Sequence, residues 1–141
     1  MNLDISLAVK ARILQNPVIA QQATVVVNRL PQGIVGNAIV LWVIGETPFN
    51  DLIGSIGIDQ ARLQIDSYAE KPADAAKLAS TLWQHLDGFS GVVAGVFIKS
   101  SSRVTGVRQL TDRVKVGTDQ YRFIATQDFR FTYDSLSEVI V

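Results

Sequence analysis

Residues 60–69 constrain the fold more than any other segment of the chain. Their sequence, QARLQIDSYA, alternates strictly between two sets of side chains. Successive side chains of a strand point to opposite faces, so this pattern predicts a sheet with one apolar and one polar face. The apolar set is Ala61, Leu63, Ile65, Ser67 and Ala69, and the polar set is Gln60, Arg62, Gln64, Asp66 and Tyr68.

A helix is predicted directly after this strand. Pro72 opens it, Gly88 ends it, and Phe89 is placed to fold back on its last turn. Its apolar residues form one stripe at helical spacing: Ala75, Leu78, Ala79, Leu82 and Leu86. A second helix is predicted over residues 4–15, with Pro17 just past its end, because Leu7, Ala11 and Leu14 recur at helical spacing.

Apolar and β-branched runs predict further strands. The last strand has an aromatic face that only Gln127 interrupts. Glycine and proline predict a long loop over residues 45–57, and residues 99–120 form a polar excursion with turn signals. The predicted strands cover residues 24–28, 38–44, 91–98 and 121–133.

Together these elements predict an α+β fold. We expect a mostly antiparallel sheet of about five or six strands with two main helices packed on one face. The chain of 141 residues corresponds to one domain, given roughly 100–200 residues per domain. We expect this domain to span residues 1–141, with residues 134–141 as a flexible C-terminal tail. About half of the sheet surface should be exposed to solvent or covered by another chain.

The composition argues against several classes of protein. The chain has 13 basic and 13 acidic residues, whereas a nucleic-acid-binding protein has an excess of basic residues. Cysteine is absent, which excludes disulfides, thiolate metal sites and a cysteine nucleophile. The longest apolar run, residues 38–44, is far below the roughly 18–20 residues of a membrane-spanning helix. Charged residues near the N-terminus interrupt the apolar core of any signal peptide, so we expect a cytoplasmic protein with no membrane partner.

Enzyme signatures are weak. Residues 88–92 (GFSGV) begin like a nucleophile elbow, but Val92 stands where the second glycine belongs, and the segment follows a helix. His85 is the only histidine and lies at the edge of the helix stripe. A half-buried packing residue is the favoured interpretation of His85, with a lone general base as the alternative.

Asp66 and Glu70 are the one pair of carboxylates that suggests glycosidase chemistry. Four residues of extended strand separate them by about 13 Å, whereas glycosidase pairs lie roughly 5–9.5 Å apart. We instead expect Asp66 to pair across the sheet with Arg122 or Arg130. The sequence therefore predicts no catalytic, cofactor-binding or metal-binding residue.

Basic charge is concentrated in residues 99–122, which contain six basic and two acidic residues. Aromatic residues for base stacking are nearly absent there, which argues against a sequence-specific nucleic-acid module. The segment is either a solvated hairpin or a protruding arm that meets an acidic partner or a passing phosphate backbone. The apolar end of the sequence either frays or docks on a partner. The candidate interface residues are Arg103, Arg108, Arg113, Lys115, Val139, Ile140 and Val141.

Several motifs resemble a family of small tail proteins of long-tailed bacteriophages. The strand ARLQIDSYA at 61–69 leads into an alanine-rich helix that closes with LDGF at 86–89. The last strand is similar through YR at 121–122, DFRF at 128–131 and Tyr133. The early region is similar through RLPQG at 29–33, LWVI at 41–44 and ETP at 46–48. The resemblance covers roughly residues 28–133, and the order and spacing of the motifs make it specific.

The resemblance implies a tail terminator, also called a tail completion or tail-to-head joining protein. Such proteins cap the growing tail tube as a ring, typically of six subunits, and present a surface to the head connector. The implied partners are further copies of the chain, the tail tube protein and the head–tail connector proteins, while DNA passes through the lumen without sequence-specific binding. The implied location is the head-proximal end of the tail in the virion, after assembly in the host cytoplasm. No cofactor is implied.

Two alternatives remain open at this point. One is a neighbouring structural role as a head-completion or connector protein. The other is a small α+β enzyme or ligand-binding domain that works through His85 or the loop at residues 45–57. A ligand site should bury converging polar groups in a pocket, whereas a ring protein should show broad contact surfaces.

Overall fold

A computed structural model of the chain describes residues 4–29, 31, 36–51, 54–109, 114–116 and 120–134. It contains three helices: α1 (Ile5–Leu14), α2 (Pro17–Gln22) and α3 (Pro72–Leu86). The strands are β1 (Ala23–Val27), β2 (Asn37–Asp51), β3 (Gly54–Ala69), β4 (Gly91–Val93), β5 (Val96–Gln109), β6 (Val114–Val116) and β7 (Gln120–Asp134). Among the described residues, no helix is long and apolar enough to cross a membrane.

One curled sheet organises these elements. Its strand order is β1-β2-β3-β7-β5-β4, and β6 pairs with β7. Every pairing is antiparallel except that of β1 with β2, which is parallel. The α+β class is therefore confirmed, and the expectation of an antiparallel sheet is mostly right, with the β1–β2 pair as the exception.

The face of the sheet that contacts α1 and α3, called the helix face below, contains the main core. The apolar sets predicted for residues 60–69 and for the final strand lie here, and α3 contacts β3, β5 and β7. Gln127, the one polar residue of that strand's apolar face, is fully buried, and its Nε2 donates a hydrogen bond to the Ala79 carbonyl at 2.8 Å. The buried residues of α3 are the five predicted ones: Ala75, Leu78, Ala79, Leu82 and Leu86.

The N-terminal helix is where predicted, but the leucines whose spacing predicted it are not on its buried side. The Asp4 carboxylate caps α1 by accepting the backbone N–H of Ser6 at 3.0 Å, as N-cap residues do. The residues that α1 buries are Ile5, Ser6, Ala8, Val9 and Ile13. Leu7 and Leu14 are 53% and 41% exposed. The helix has apolar residues on more than one side, so spacing alone did not identify the side that meets the sheet.

Pro17 lies past the end of α1 as predicted, and it begins a second short helix, α2, that was not predicted. Asn16 caps this helix, and its Oδ1 accepts the backbone N–H groups of Val18 at 3.0 Å and Ile19 at 3.2 Å. Proline is favoured in a first helical turn, where its missing N–H would have no partner anyway.

The predicted loop at residues 45–57 is wrong, because β2 and β3 form a long antiparallel hairpin through this region. Pro48 pairs with Asp59 inside the ladder. The register shifts between Val43 and Gly45 and again between Pro48 and Asn50. Bulges of this kind let a strand continue past proline and glycine.

The segment 91–98, predicted as one strand, is a tight hairpin of β4 and the start of β5. Ala94 and Gly95 form its turn with φ of 50° and 80°, the positive values that two-residue hairpin turns require. The polar excursion predicted over residues 99–120 is also partly wrong, since β5 continues to Gln109 and pairs with β7. The predicted turn at residues 117–119 lies outside the described residues, and Asp134 belongs to β7 rather than to a tail.

Candidate functional site

The face of the sheet away from α1 and α3, called the opposite face below, holds a group of polar side chains that we call the polar patch. Cross-strand register places them in three rows over β5, β7 and β3, and each row ends at a residue of β2. Residues directly opposite one another share a face, so each row forms a line across the sheet. The rows are Ser102, Arg130, Arg62 and Gly45; Thr105, Asp128, Gln64 and Trp42; and Arg108, Thr126, Asp66 and Val40.

Asp128 lies at the centre of the polar patch between two arginines. Its Oδ2 accepts hydrogen bonds from Arg62 Nε at 3.2 Å and Arg62 Nη2 at 2.7 Å. Its Oδ1 lies 3.6 Å from Arg108 Nη2. The Asp128 side chain is only 8% exposed, against 42% for Arg62 and 57% for Arg108. A shielded carboxylate therefore holds two guanidinium groups at the surface.

Asp66 is buried one row further along and is held by neutral donors. Trp42 Nε1 donates to its Oδ2 at 3.1 Å, and Gln64 Nε2 donates to its Oδ1 at 3.0 Å. Burial raises the pKa of Asp66, hydrogen bonds from Gln64, Thr126 and Trp42 oppose this shift, and the charge of Asp128 adds to it. Burial and the nearby charge of Asp66 also raise the pKa of Tyr68 to about 12.

The predicted cross-strand arginine partner of Asp66 is wrong. The residue opposite Asp66 is Thr126, and Arg122 and Arg130 lie four positions to either side of it along β7. The acid that does pair with arginines is Asp128. Sequence alternation assigned these residues to the correct face, but only the register decides which of them meet.

Two of the predicted basic interface residues have described side chains, Arg103 and Arg108, and these two lie on different faces of the sheet. Arg103 lies on the helix face, where its guanidinium stacks on the Trp83 ring at 4.0 Å and its backbone N–H donates to Asp87 Oδ1 at 3.1 Å. Arg108 is on the opposite face and exposed. Lys115 falls in β6, and its side chain is not among those described. Arg113, Val139, Ile140 and Val141 lie outside the described residues.

His85 joins two helices. Its Nε2 lies 2.6 Å from the Arg12 carbonyl, and Arg12 Nη2 donates to the His85 carbonyl at 3.1 Å. Because a carbonyl only accepts, this geometry requires a proton on Nε2. Arg12 also stacks over Phe89 at 4.0 Å. These contacts support the packing interpretation of His85, and the loop proposed with it as a ligand site is a hairpin.

Other potential binding features are few in the part of the chain that the structure describes. No group of three or more histidine, aspartate or glutamate side chains there could hold a metal ion. A cavity of about 300 Å³ lies between α2 and α3. Its lining includes Val18, Asp74, Lys77 and Thr81. All four side chains are at least partly exposed, so this cavity is unlike a site that buries converging polar groups.

Among the described residues, the exposed large apolar side chains include two sets, besides Ile44 and Val107. The α1–α2 stripe is our name for Leu7 and Leu14, which lie two turns apart on α1, together with Val18 of α2. The hairpin pair consists of Val92 and Phe97, which lie directly opposite each other on β4 and β5, with Val92 71% exposed. Helical spacing singled out Leu7 and Leu14 but did not predict their exposure. The hairpin pair was not predicted, because residues 91–98 were expected to form a single strand.

No family model matches the chain, and neither does any curated protein.

Proposed function

We propose that this chain is a structural virion protein of a long-tailed bacteriophage that caps the tail tube as a ring. In this role it ends polymerisation of the tube and provides the surface that joins the tail to the head connector. Two lines of support are independent of each other. One is the resemblance of its ordered motifs to tail terminators, and the other is the pair of exposed apolar surfaces.

The observation that favours a ring most is that the two apolar surfaces differ. A ring built from head-to-tail contacts needs two different, complementary patches on each subunit. The α1–α2 stripe is helical, whereas the hairpin pair is on strands at one edge of the sheet. Single exposed apolar residues are common, but grouped ones mark contacts with other proteins. In the proposed ring, the stripe of one subunit contacts the hairpin pair of its neighbour.

The basic residues of the segment 99–122 then have separate roles. Arg108, Arg113 and Lys115 are proposed to contact the tube, a neighbouring subunit or the lumen, and Val139, Ile140 and Val141 to dock on a partner. Arg103 is better left out of a charge-reversal test, because it stacks on Trp83 and its replacement would disturb the contact between α3 and β5.

Electron microscopy of particles from a phage that lacks this gene tests the role. Overlong or irregular free tails beside filled heads are expected. Normal-length tails that fail to attach to heads would instead favour the joining role of a connector protein. Fully normal infectious particles would contradict any role in the virion.

Complementation with variants tests the contact itself. Replacing Leu7 and Leu14 with aspartate should leave the isolated fold intact, because both side chains are exposed, but should abolish rescue of normal tails. The matched control replaces the exposed α2 residues Gln21 and Gln22 with aspartate, which adds the same charge outside the stripe. Rescue by the leucine variant equal to that by the control would refute the proposed contact.

A further inference from the structure

We propose that the polar patch is a docking site for an acidic protein partner, whose carboxylates bind between Arg62 and Arg130 with Arg108 beside them. This inference shares Arg108 with the proposed ring, but its central pair, Arg62 and Arg130, belongs neither to the α1–α2 stripe nor to the hairpin pair.

The central observation is a pair of like charges in register. Arg62 of β3 lies directly opposite Arg130 of β7. Side chains in such positions start about 4.5–5.5 Å apart, and like charges there destabilise a sheet. Within the described residues, Arg62 has Asp128 as a partner, whereas exposed Arg130 has no ion pair. An anion placed between the two guanidinium groups would replace this repulsion with two charge-assisted interactions.

The neighbours of this pair leave it accessible. In the same row, Ser102 lies beside Arg130 and Gly45 beside Arg62. A Cβ added to Gly45 would meet nothing within 4 Å, and Ser102 is exposed. Small residues on both sides therefore give a ligand direct access to the guanidinium groups.

The Arg62 side chain is also held in one orientation before a ligand binds. Arg62 donates through Nε and Nη2 to the shielded Asp128. These two hydrogen bonds fix the plane of the Arg62 guanidinium. A guanidinium has five N–H donors, so others remain for a ligand. Because Arg62 and Arg130 extend from adjacent inner strands of the sheet, their separation is set by the ladder rather than by a loop.

Charge distribution favours protein carboxylates over a nucleic-acid backbone. The chain has 13 basic and 13 acidic residues, without the excess that phosphate binding needs. Within the patch, the row after Arg62 and Arg130 contains Asp128, and Arg108 follows only in the third row. A continuous phosphate backbone along the strands would therefore pass over a carboxylate. Separate carboxylates, each hydrogen-bonded to planar guanidinium groups, better fit a patch in which Asp128 separates the arginines.

Binding of a short peptide of alternating glutamate and serine tests the proposal. Affinity is measured by fluorescence anisotropy of the labelled peptide, beside a glutamine–serine peptide and a duplex DNA of similar length at the same ionic strength. The glutamate peptide should bind in preference to both. Arg130→Gln should weaken its binding by at least about tenfold, the effect of losing one charge-assisted contact. Lys77→Gln, an exposed cation on α3, is the matched control and should not change the affinity.

Arg130→Glu separates docking from a merely structural role. It places opposite charges in register with Arg62, so the melting temperature should rise by about 1–3 °C while peptide binding is lost. Unchanged binding by Arg130→Gln and Arg130→Glu, or no binding by the wild type, would overturn the proposal. Tighter binding of DNA than of peptide, or self-association of the wild-type chain that depends on Arg130, would overturn the assignment of the partner.

Discussion

The helix face and the opposite face of the sheet are built from the same strands, yet they are buried in different ways. On the helix face, Leu63, Phe129 and Phe131 pack in an apolar core against the helices. On the opposite face, Asp66 and Asp128 are also buried, beside a smaller apolar cluster, but they depend on particular donors at particular distances. Apolar burial is non-directional, whereas buried carboxylates need a defined register. The helix face therefore contains the larger apolar core, whereas the opposite face combines a smaller one with charged groups that stay exposed for contacts.

Adjacent residues of β7 provide the largest expected contrast between the two faces. Phe129 is fully buried and stacks on Phe131 with a centroid distance of 6.2 Å. Phe129→Ala should lower the free energy of unfolding by about 3–5 kcal/mol. Arg130→Ala, one residue further and on the opposite face, should change it by less than about 0.5 kcal/mol. Urea denaturation measures both, and comparable losses would show that the two faces contribute equally.

The sequence determined the helix face well because its signals are periodic. Alternation over residues 60–69 and the stripe of the following helix each identified an element and its buried side. Helical spacing also predicted α1 through Leu7 and Leu14, but it did not identify the buried side, because more than one side of that helix is apolar and both leucines are exposed. Proline and glycine at residues 45–57 predicted a loop, but bulges accommodate them within a hairpin. Such errors arise where tertiary packing overrides a local preference.

The polar patch was only partly predictable. Alternation placed Arg62, Asp66 and Asp128 on one face, and Arg108 was already a candidate interface residue. Which of these side chains meet depends on the β3–β7 register, and local patterns do not determine it. Listing the polar residues at alternate positions of β3 and β7 would have identified the patch members on these two strands, but not the facing pair of Arg62 and Arg130.

Replacing Gln127 should change the free energy of unfolding by an intermediate amount, because Gln127 is a buried polar side chain on the helix face. Its Nε2 donates to the Ala79 carbonyl at 2.8 Å and so connects β7 to α3. Gln127→Ala removes this bond and leaves a cavity, and should cost about 2–3 kcal/mol. Gln127→Met fills the space without the bond and should cost about 1 kcal/mol. Denaturation midpoints of the two variants measure the difference, and equal costs would mean that the bond rather than the volume matters.

The smallest expected change in stability comes from replacing Asp66, and the size of this change depends on pH. Because burial raises the pKa of Asp66 above its ordinary value of 3.8, the folded state binds this proton more tightly than the unfolded state. The resulting stabilisation is fully present below pH 3.8 and is lost as the pH rises through the folded-state pKa. Asp66→Asn has no charge to bury, and its side-chain oxygen can still accept from Trp42.

Asp66→Asn should therefore be more stable than the wild type at pH 7, and the difference should shrink towards zero at pH 3. Urea denaturation at several pH values measures this difference in stability. Glu70→Gln, at an exposed position, is the control for removing one negative charge. If Asp66→Asn is instead less stable at every pH, hydrogen bonding of the carboxylate outweighs the cost of burying it. The opposite face would then stabilise the fold through its polar contacts as directly as the helix face does through apolar packing.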